Sequence, residues 1–148
     1  MLRIVAGLFA AVAVAAPAAA AEGFAVDVSM AWTPPVEKTG QDSPVYMTIT
    51  NRADEPDNLV RVRCPMDLAD FTEKDATDHG EGGTAIREVK SIPIPAKGTA
   101  SLAPDGYHLR LLHVRQILRE GQTFTCSLVF QKAGTIPVEV KVAAAGAK

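Results

Sequence analysis

The amino-acid sequence predicts a single-domain, antiparallel β-sandwich, and three observations support this prediction. Short runs in which apolar and polar residues alternate recur along the chain after an apolar N-terminal segment. Clusters of Pro, Gly, Asp and Asn separate these runs at regular spacing. No long amphipathic helical pattern follows residue 21. Many short strands bounded by turn residues are typical of antiparallel sandwiches and barrels, so we expect an all-β protein.

The first 21 residues have the three-part pattern of a secretory signal peptide. Residues 1–3 form a short positive start, residues 4–16 are apolar, and residues 18–21 are small. We expect cleavage after Ala21 or one residue earlier, and a periplasmic mature protein. A membrane span needs about 20 apolar residues, and the apolar run at residues 4–16 is shorter than that. We therefore expect no membrane span after cleavage. The alternative is that the segment is not cleaved and anchors the chain in a membrane.

Without the signal peptide, the chain is mildly acidic. Its 15 basic residues fall to 14 with the loss of Arg3, against 17 acidic residues. No clustering of Lys and Arg indicates a nucleic-acid surface, so nucleic acid is not expected as a partner. Residues 22–142 are long enough for one domain with its own core. The small residues of 143–148 are expected to form a frayed tail.

The N-terminal half of the mature chain predicts four strands, at residues 24–32, 45–50, 59–64 and 68–73. In the first two, apolar residues occupy alternate positions, and prolines or a polar turn end the run. Met30 and Met47 fall in this apolar phase, so we expect both in the core. The acidic and Gly-rich residues that follow, 75–83, are predicted to form a loop.

The C-terminal half predicts five further strands, at residues 85–89, 100–102, 107–114, 123–131 and 136–142. Turn residues separate them at 93–98, 104–106, 120–122 and 133–134. The resulting series of short, regularly spaced strands completes the predicted sandwich.

The only two cysteines, Cys64 and Cys126, are predicted to form a disulfide. Exported proteins fold in an oxidising compartment, where a pair of cysteines is normally oxidised. Each cysteine continues an alternating apolar pattern: Val60 and Val62 precede Cys64, and Leu128 follows Cys126. Both sulfur atoms are therefore expected to point into the core.

The sequence lacks the common catalytic motifs. It has no phosphate-binding Gly loop, and its Ser, His, Asp and Cys residues form no recognisable hydrolase pattern. We therefore expect a protein that is not an enzyme.

Several segments, taken in order, resemble the periplasmic copper chaperones of the PCu(A)C family. They are AWTPP at 31–35, VYMTITN at 45–51, EPDNLV at 55–60, IPIP at 92–95 with Gly98, PDGYHL at 104–109 and QKAG at 131–134. The resemblance implies a cupredoxin-like β-sandwich and copper as the cofactor. It also implies copper delivery, with cytochrome oxidase assembly proteins or another periplasmic protein as partner.

The resemblance also implies a copper site, from which this sequence departs. Family members bind Cu(I) through an early His, an intermediate Met and a later His-x-Met pair, and soft donors of this kind suit Cu(I). His108 matches the His of that pair, but Arg110 replaces its Met. Ile86 falls at the intermediate Met, and the early His falls near Thr72. We therefore expect an altered site that binds Cu(I) weakly.

A second histidine, His79, lies among acidic residues in the predicted loop 75–83 and is a further candidate metal ligand. It could take the place of the missing early His, or it could belong to a solvated acidic loop. We accordingly expect a copper chaperone-like protein whose altered site uses His108 and His79. The alternative is a metal-free periplasmic module that binds a protein on the same scaffold.

Overall fold

The computed structural model describes residues 25–144, which form ten β-strands. The strands are β1 (Val26–Thr33), β2 (Ser43–Asn51), β3 (Asp57–Arg63), β4 (Ala69–Gly80), β5 (Gly83–Glu88), β6 (Ile92–Ile94), β7 (Gly98–Leu102), β8 (Tyr107–Val114), β9 (Thr123–Phe130) and β10 (Gly134–Val142). The expected signal peptide and its cleavage point lie outside the described residues. Within residues 25–144, no helix has the length and apolar character that crossing a membrane requires.

The strands form one continuous sheet in the order β5-β4-β8-β2-β1-β10-β9-β3-β6. All pairs are antiparallel except β1 with β10, which pair in parallel over two residues. The first half of β2 pairs with β8, and from Met47 onward its partner is β7. The sheet folds around one apolar core, which confirms the predicted all-β, cupredoxin-like sandwich.

The core is built from the inward-facing residues of each long strand. Every second residue of β2 and β10 is buried, as the sequence alternation predicts. The largest fully buried side chains include Ile49, Leu59, Leu109, Leu111 and Phe130. Burying a side chain of this size contributes about 2 kcal/mol relative to leaving it in water.

Cys64 and Cys126 form the predicted disulfide, with an S–S distance of 2.12 Å. It links the end of β3 to the middle of β9 across 62 residues of sequence. Val60 was expected to point inward together with Val62 and Cys64, and this expectation is wrong. The pairing of β3 with β9 shifts register between Leu59 and Arg61, which turns Val60 outward. Val60 is consequently 38% exposed, whereas Val62 is buried.

Met30 is not in the core, contrary to the prediction. The pairing of β1 with β2 shifts register between Ser29 and Trp32, and Met30 has a φ of 52° within this bulge. The extra residue turns the Met30 side chain outward, and the residue is 73% exposed. Met47, on the regular strand β2, is buried as expected.

The predicted loop 75–83 is instead a β-hairpin. β4 continues to Gly80 and pairs with β5 from Asp75–Glu88 to Gly80–Gly83. The predicted strand 85–89 corresponds to β5, but all six residues of β5 are exposed, so no apolar alternation marks the full extent of the hairpin. The turn predicted at residues 93–98 is wrong at its first two residues, because the short strand β6 extends to Ile94.

Of the C-terminal tail predicted at 143–148, the structure describes residues 143 and 144. Ala143 is buried, and its N–H donates a hydrogen bond to the Thr33 carbonyl at 3.0 Å. This contact extends the short pairing of β10 with β1. Residues 145–148 lie outside the described part of the chain.

Candidate metal centre

His108 lies in the second position of β8, opposite Asp75 of β4. The residue is only 4% exposed, and its Nδ1 donates a hydrogen bond to the Gly106 carbonyl at 3.1 Å. This bond leaves the lone pair of the neutral ring on Nε2. The Tyr46 ring lies 6.2 Å from the imidazole, centre to centre. His108 therefore has the tautomer that a metal ligand needs, in a site largely shielded from water.

Arg110 lies on the same face of β8 and binds carboxylates. Its Nη2 is 3.1 Å from Oε2 of Glu73, its Nε is 2.7 Å from Oδ2 of Asp75, and its Nη1 is 4.0 Å from Oδ2 of Asp42. Burial lowers the pKa of Arg110, but the hydrogen bond to Glu73 and the nearby carboxylates outweigh burial and raise that pKa overall. The guanidinium is thus a permanent positive charge two residues from His108.

Asp75 is the buried member of this group, which we name the Arg110 cluster (Asp42, Glu73, Asp75 and Arg110). Its side chain is 0% exposed, and among the described residues neither carboxylate oxygen accepts a hydrogen bond. The N–H of Arg110 Nε does not point at Oδ2 despite the short distance, so the contact is an ion pair only. Burial raises the pKa of Asp75 above its ordinary value of 3.8, against the opposing charge of Arg110.

The positions that the resemblance assigns to the other copper ligands carry no donor for Cu(I). Thr72 is the partner of Leu111, so it shares the face of Leu111 and not that of His108. Ile86 is on β5, 53% exposed, and offers only hydrocarbon. His108 is therefore the single soft or borderline donor among the four carried-over positions.

The second candidate ligand, His79, does not converge with His108. It lies four residues beyond Asp75 on β4, which places it about 13 Å further along the strand at about 3.3 Å per residue. Its ring is exposed, and Nε2 lies 3.2 Å from the Asp105 carbonyl. The structure therefore does not bring His79 and His108 together, and a role of His79 as a metal ligand stays a prediction.

The residues present do not fit a Cu(I) ion at the family position. Among residues 25–144, no three or more His, Cys, Asp or Glu side chains are arranged to hold a metal ion. One imidazole beside a fixed guanidinium cannot replace a set of converging thioether and imidazole donors. Glu73 and Asp75 occupy alternate positions of β4, opposite Arg110 and His108. They were not recognised from the sequence because the predicted strand ended at residue 73. A strand that continued past residue 73 would have placed both acids opposite the His-x-Arg motif.

Comparison with known proteins identifies the family. The family model described as "Putative lipoprotein LpqE-like" matches residues 26–142. The curated protein "Putative lipoprotein Lxx21020" from Leifsonia xyli subsp. xyli is 39% identical over 62 residues. That match covers 41% of this chain and 37% of the relative, so the chain spans little more than a third of the relative's length.

Solved structures of copper-binding domains have the same fold. The apo form of DR1885 from Deinococcus radiodurans is 30% identical, with a TM-score of 0.62 and coverage of 97% of each chain. The copper-bound PCuAC domain from PmoF2 is 25% identical, with a TM-score of 0.64, and the match covers 81% of this chain and 93% of that domain. The chain therefore belongs to the LpqE-like family and is a PCuAC-type protein.

Proposed function

We propose that this chain is an exported, copper chaperone-like protein that acts by binding a protein partner and does not hold Cu(I) at the family's metal position. The observation that carries the proposal is the Arg110 cluster. A guanidinium bound by Glu73 and Asp75 lies where the resemblance expects the Met of the His-x-Met pair. The partner expected from the resemblance is a periplasmic protein, such as one that assembles cytochrome oxidase.

The chemistry of the cluster supports this proposal. Cu(I) prefers several soft donors, whereas the groups around His108 are hard carboxylate oxygens and a cation. A cation at the site would also meet electrostatic repulsion from Arg110, which is stronger in a partly buried site than in water. Glu73 and Asp75 are already paired with Arg110, so they gain little by exchanging it for a metal. Binding, and not catalysis, is also the function expected from the likeness to PCuAC domains.

A competition titration against a chromophoric Cu(I) chelator tests the proposal. We expect the wild-type protein to leave Cu(I) with the chelator. Arg110→Met recreates the His-x-Met pair and removes the charge, so it should bind Cu(I) more tightly than wild type. Adding His108→Ala to Arg110→Met should abolish that gain. Arg115→Met is the matched control, because Arg115 is exposed and pairs with Asp70 instead. Tight one-to-one binding of Cu(I) by wild type would contradict the proposal.

A second candidate function is Cu(II) binding at His108. It is favoured by the Nε2 lone pair of His108 and by the two Asp75 oxygens that accept no hydrogen bond. Nitrogen and carboxylate oxygen suit Cu(II), but Arg110 would have to move aside. Binding of this kind weakens at acid pH because protons compete for the imidazole. Electron paramagnetic resonance of the Cu(II)-titrated protein should then lose its signal of bound copper in His108→Ala but keep it in His79→Ala.

A further inference from the structure

The bulge in β1 holds Met30 at a defined place on the surface. A φ of 52° is uncommon for any residue with a Cβ atom, because the side chain crowds the backbone. Such backbone strain persists only where the surrounding structure enforces it, and it is frequent at binding sites. Here the strain results in the exposure of a large, flexible and apolar side chain.

Met30 lines a cleft on the outer face of β1, β2 and β7, which we name the β1–β2–β7 cleft. Its volume is about 540 Å³, within the range of sites for small organic molecules. The cleft lies beside Tyr46, at the point where β2 exchanges its partner β8 for β7. The rings of Trp32 and Tyr46 form one wall, with their centres 5.2 Å apart and their planes inclined at 53°.

The polar groups of the cleft are few and of defined type. Lys141 is the only charged residue that lines it within the described chain, and it is the cross-strand partner of Trp32. No acidic side chain of residues 25–144 forms an ion pair with Lys141. Thr48 and Ser101, directly opposite each other on β2 and β7, add two hydroxyl groups. The cleft thus combines apolar walls, one cation and hydrogen-bonding hydroxyls.

We infer that the β1–β2–β7 cleft binds a small amphiphilic carboxylate, such as a medium-chain fatty acid. The hydrocarbon chain packs against Met30, Trp32 and Tyr46, and the carboxylate pairs with the ammonium of Lys141. An apolar cation does not fit, because Lys141 repels it. This site is independent of the proposed function, since the Arg110 cluster contributes no residue to the cleft.

The fluorescence of Trp32 reports directly on the cleft, because Trp32 is the only tryptophan of the chain. We expect decanoate to produce a saturable change in its emission, and isothermal titration calorimetry to give one site. The uncharged analogue 1-decanol should bind more weakly. Lys141→Gln should weaken decanoate binding about fivefold, as for a partly exposed ion pair, and leave 1-decanol unchanged.

Substitution of Met30 locates the site. Met30→Gly suits the positive φ, so the fold is retained, as circular dichroism can verify. Loss of the apolar side chain should weaken both decanoate and 1-decanol about tenfold. The matched control Met66→Gly removes another exposed methionine outside the cleft and should change neither.

Four results would overturn the inference. The first is the absence of a saturable response to decanoate at millimolar concentration. The second is equal affinity for 1-decanol and decanoate, which removes the role of Lys141. The third is unchanged binding in Met30→Gly. The fourth is a response to an apolar peptide with a blocked C-terminus in place of decanoate, which would make the cleft a protein-docking surface.

Discussion

Arg110 Nε and Asp75 Oδ2 are 2.7 Å apart across β8 and β4, yet no hydrogen bond joins them and Asp75 is fully buried. The pair is therefore held by charge alone at this contact, whereas the guanidinium donates a hydrogen bond from Nη2 to Oε2 of Glu73. A buried charge is tolerated when an opposite charge compensates it, and removing one partner leaves the other uncompensated. The protein should therefore be stable when Arg110 and Asp75 are both present or both replaced, and less stable when only one of them is replaced.

Arg110→Met should destabilise the protein by about 3 kcal/mol at neutral pH, because Asp75 then remains buried without its counter-charge. The double variant Arg110→Met/Asp75→Leu should recover most of this loss, since replacing both charges with apolar groups is often neutral. Urea denaturation of the three proteins measures the change in the free energy of unfolding of each variant relative to wild type. A single variant within about 0.5 kcal/mol of wild type would show that the ion pair contributes little.

The pH dependence of stability should report the titration of Asp75. Its pKa is raised in the folded state, mainly by burial, so the folded protein holds the proton more tightly than the unfolded chain does. The contribution of Asp75 is therefore fully present below its ordinary pKa of 3.8 and is lost as pH rises through the higher folded value. Asp75→Asn should remove this decrease, so the variant gains stability relative to wild type as pH rises from 3.8.

Asp70 provides a control of opposite sign for that experiment. A hydrogen bond from Arg115 lowers the pKa of Asp70, so its contribution is present above its ordinary pKa of 3.8 and is lost as pH falls through the lower folded value. Asp70→Asn should therefore lose stability relative to wild type as pH rises through this window. Thermal unfolding midpoints from pH 2 to pH 7 measure both differences, and slopes of the same sign for the two variants would contradict the assignment.

The sequence predicts the strands that bury one face and fails for those that do not. Residues 107–114 were predicted with the observed bounds of β8, because Leu109 and Leu111 enter the core and Arg110 between them does not. The distal part of the β4–β5 hairpin was missed because it has solvent on both faces, so its acids, Gly residues and Ile86 follow no apolar period. Met30 was misplaced because a bulge changes the phase by one residue, which no local pattern shows.

The candidate site was only partly accessible from sequence. The resemblance drew attention to His108 and Arg110 because they occupy one short motif on one strand. Glu73 and Asp75 come from another strand, 35 and 33 residues before His108 in the sequence. Only the β4–β8 register brings them together, and register between distant strands is a property of the whole sheet.

Reduction of the disulfide should destabilise the fold by about 4 kcal/mol, because the Cys64–Cys126 bond closes a loop of 62 residues in the unfolded chain. The measurement compares urea unfolding of the oxidised protein with that of the same protein in dithiothreitol. The double variant Cys64→Ala/Cys126→Ala should behave like the reduced protein and should not respond to dithiothreitol. Equal stability of oxidised and reduced protein would contradict this prediction.

Asp57 should contribute more to stability than any exposed acid near it, because its buried carboxylate accepts three backbone hydrogen bonds. Oδ1 accepts from the N–H of Asn58 at 2.8 Å and of Lys132 at 2.9 Å, and Oδ2 accepts from the N–H of Ala133 at 2.9 Å. These bonds tie the start of β3 to the turn between β9 and β10. Asp57→Ala leaves the donors without a partner and should cost about 3 kcal/mol in urea unfolding.

Two further variants separate the carboxylate from its surroundings. Asp57→Asn keeps an oxygen for one side of the contact but presents an NH₂ group to the other, so it should cost an intermediate amount, about 1.5 kcal/mol. Glu55→Ala removes an exposed acid whose Oε2 lies 2.9 Å from Lys132 Nζ, and it should cost less than about 1 kcal/mol because surface ion pairs contribute little. If Asp57→Ala were no more destabilising than Glu55→Ala, the three backbone hydrogen bonds would not hold the turn in place.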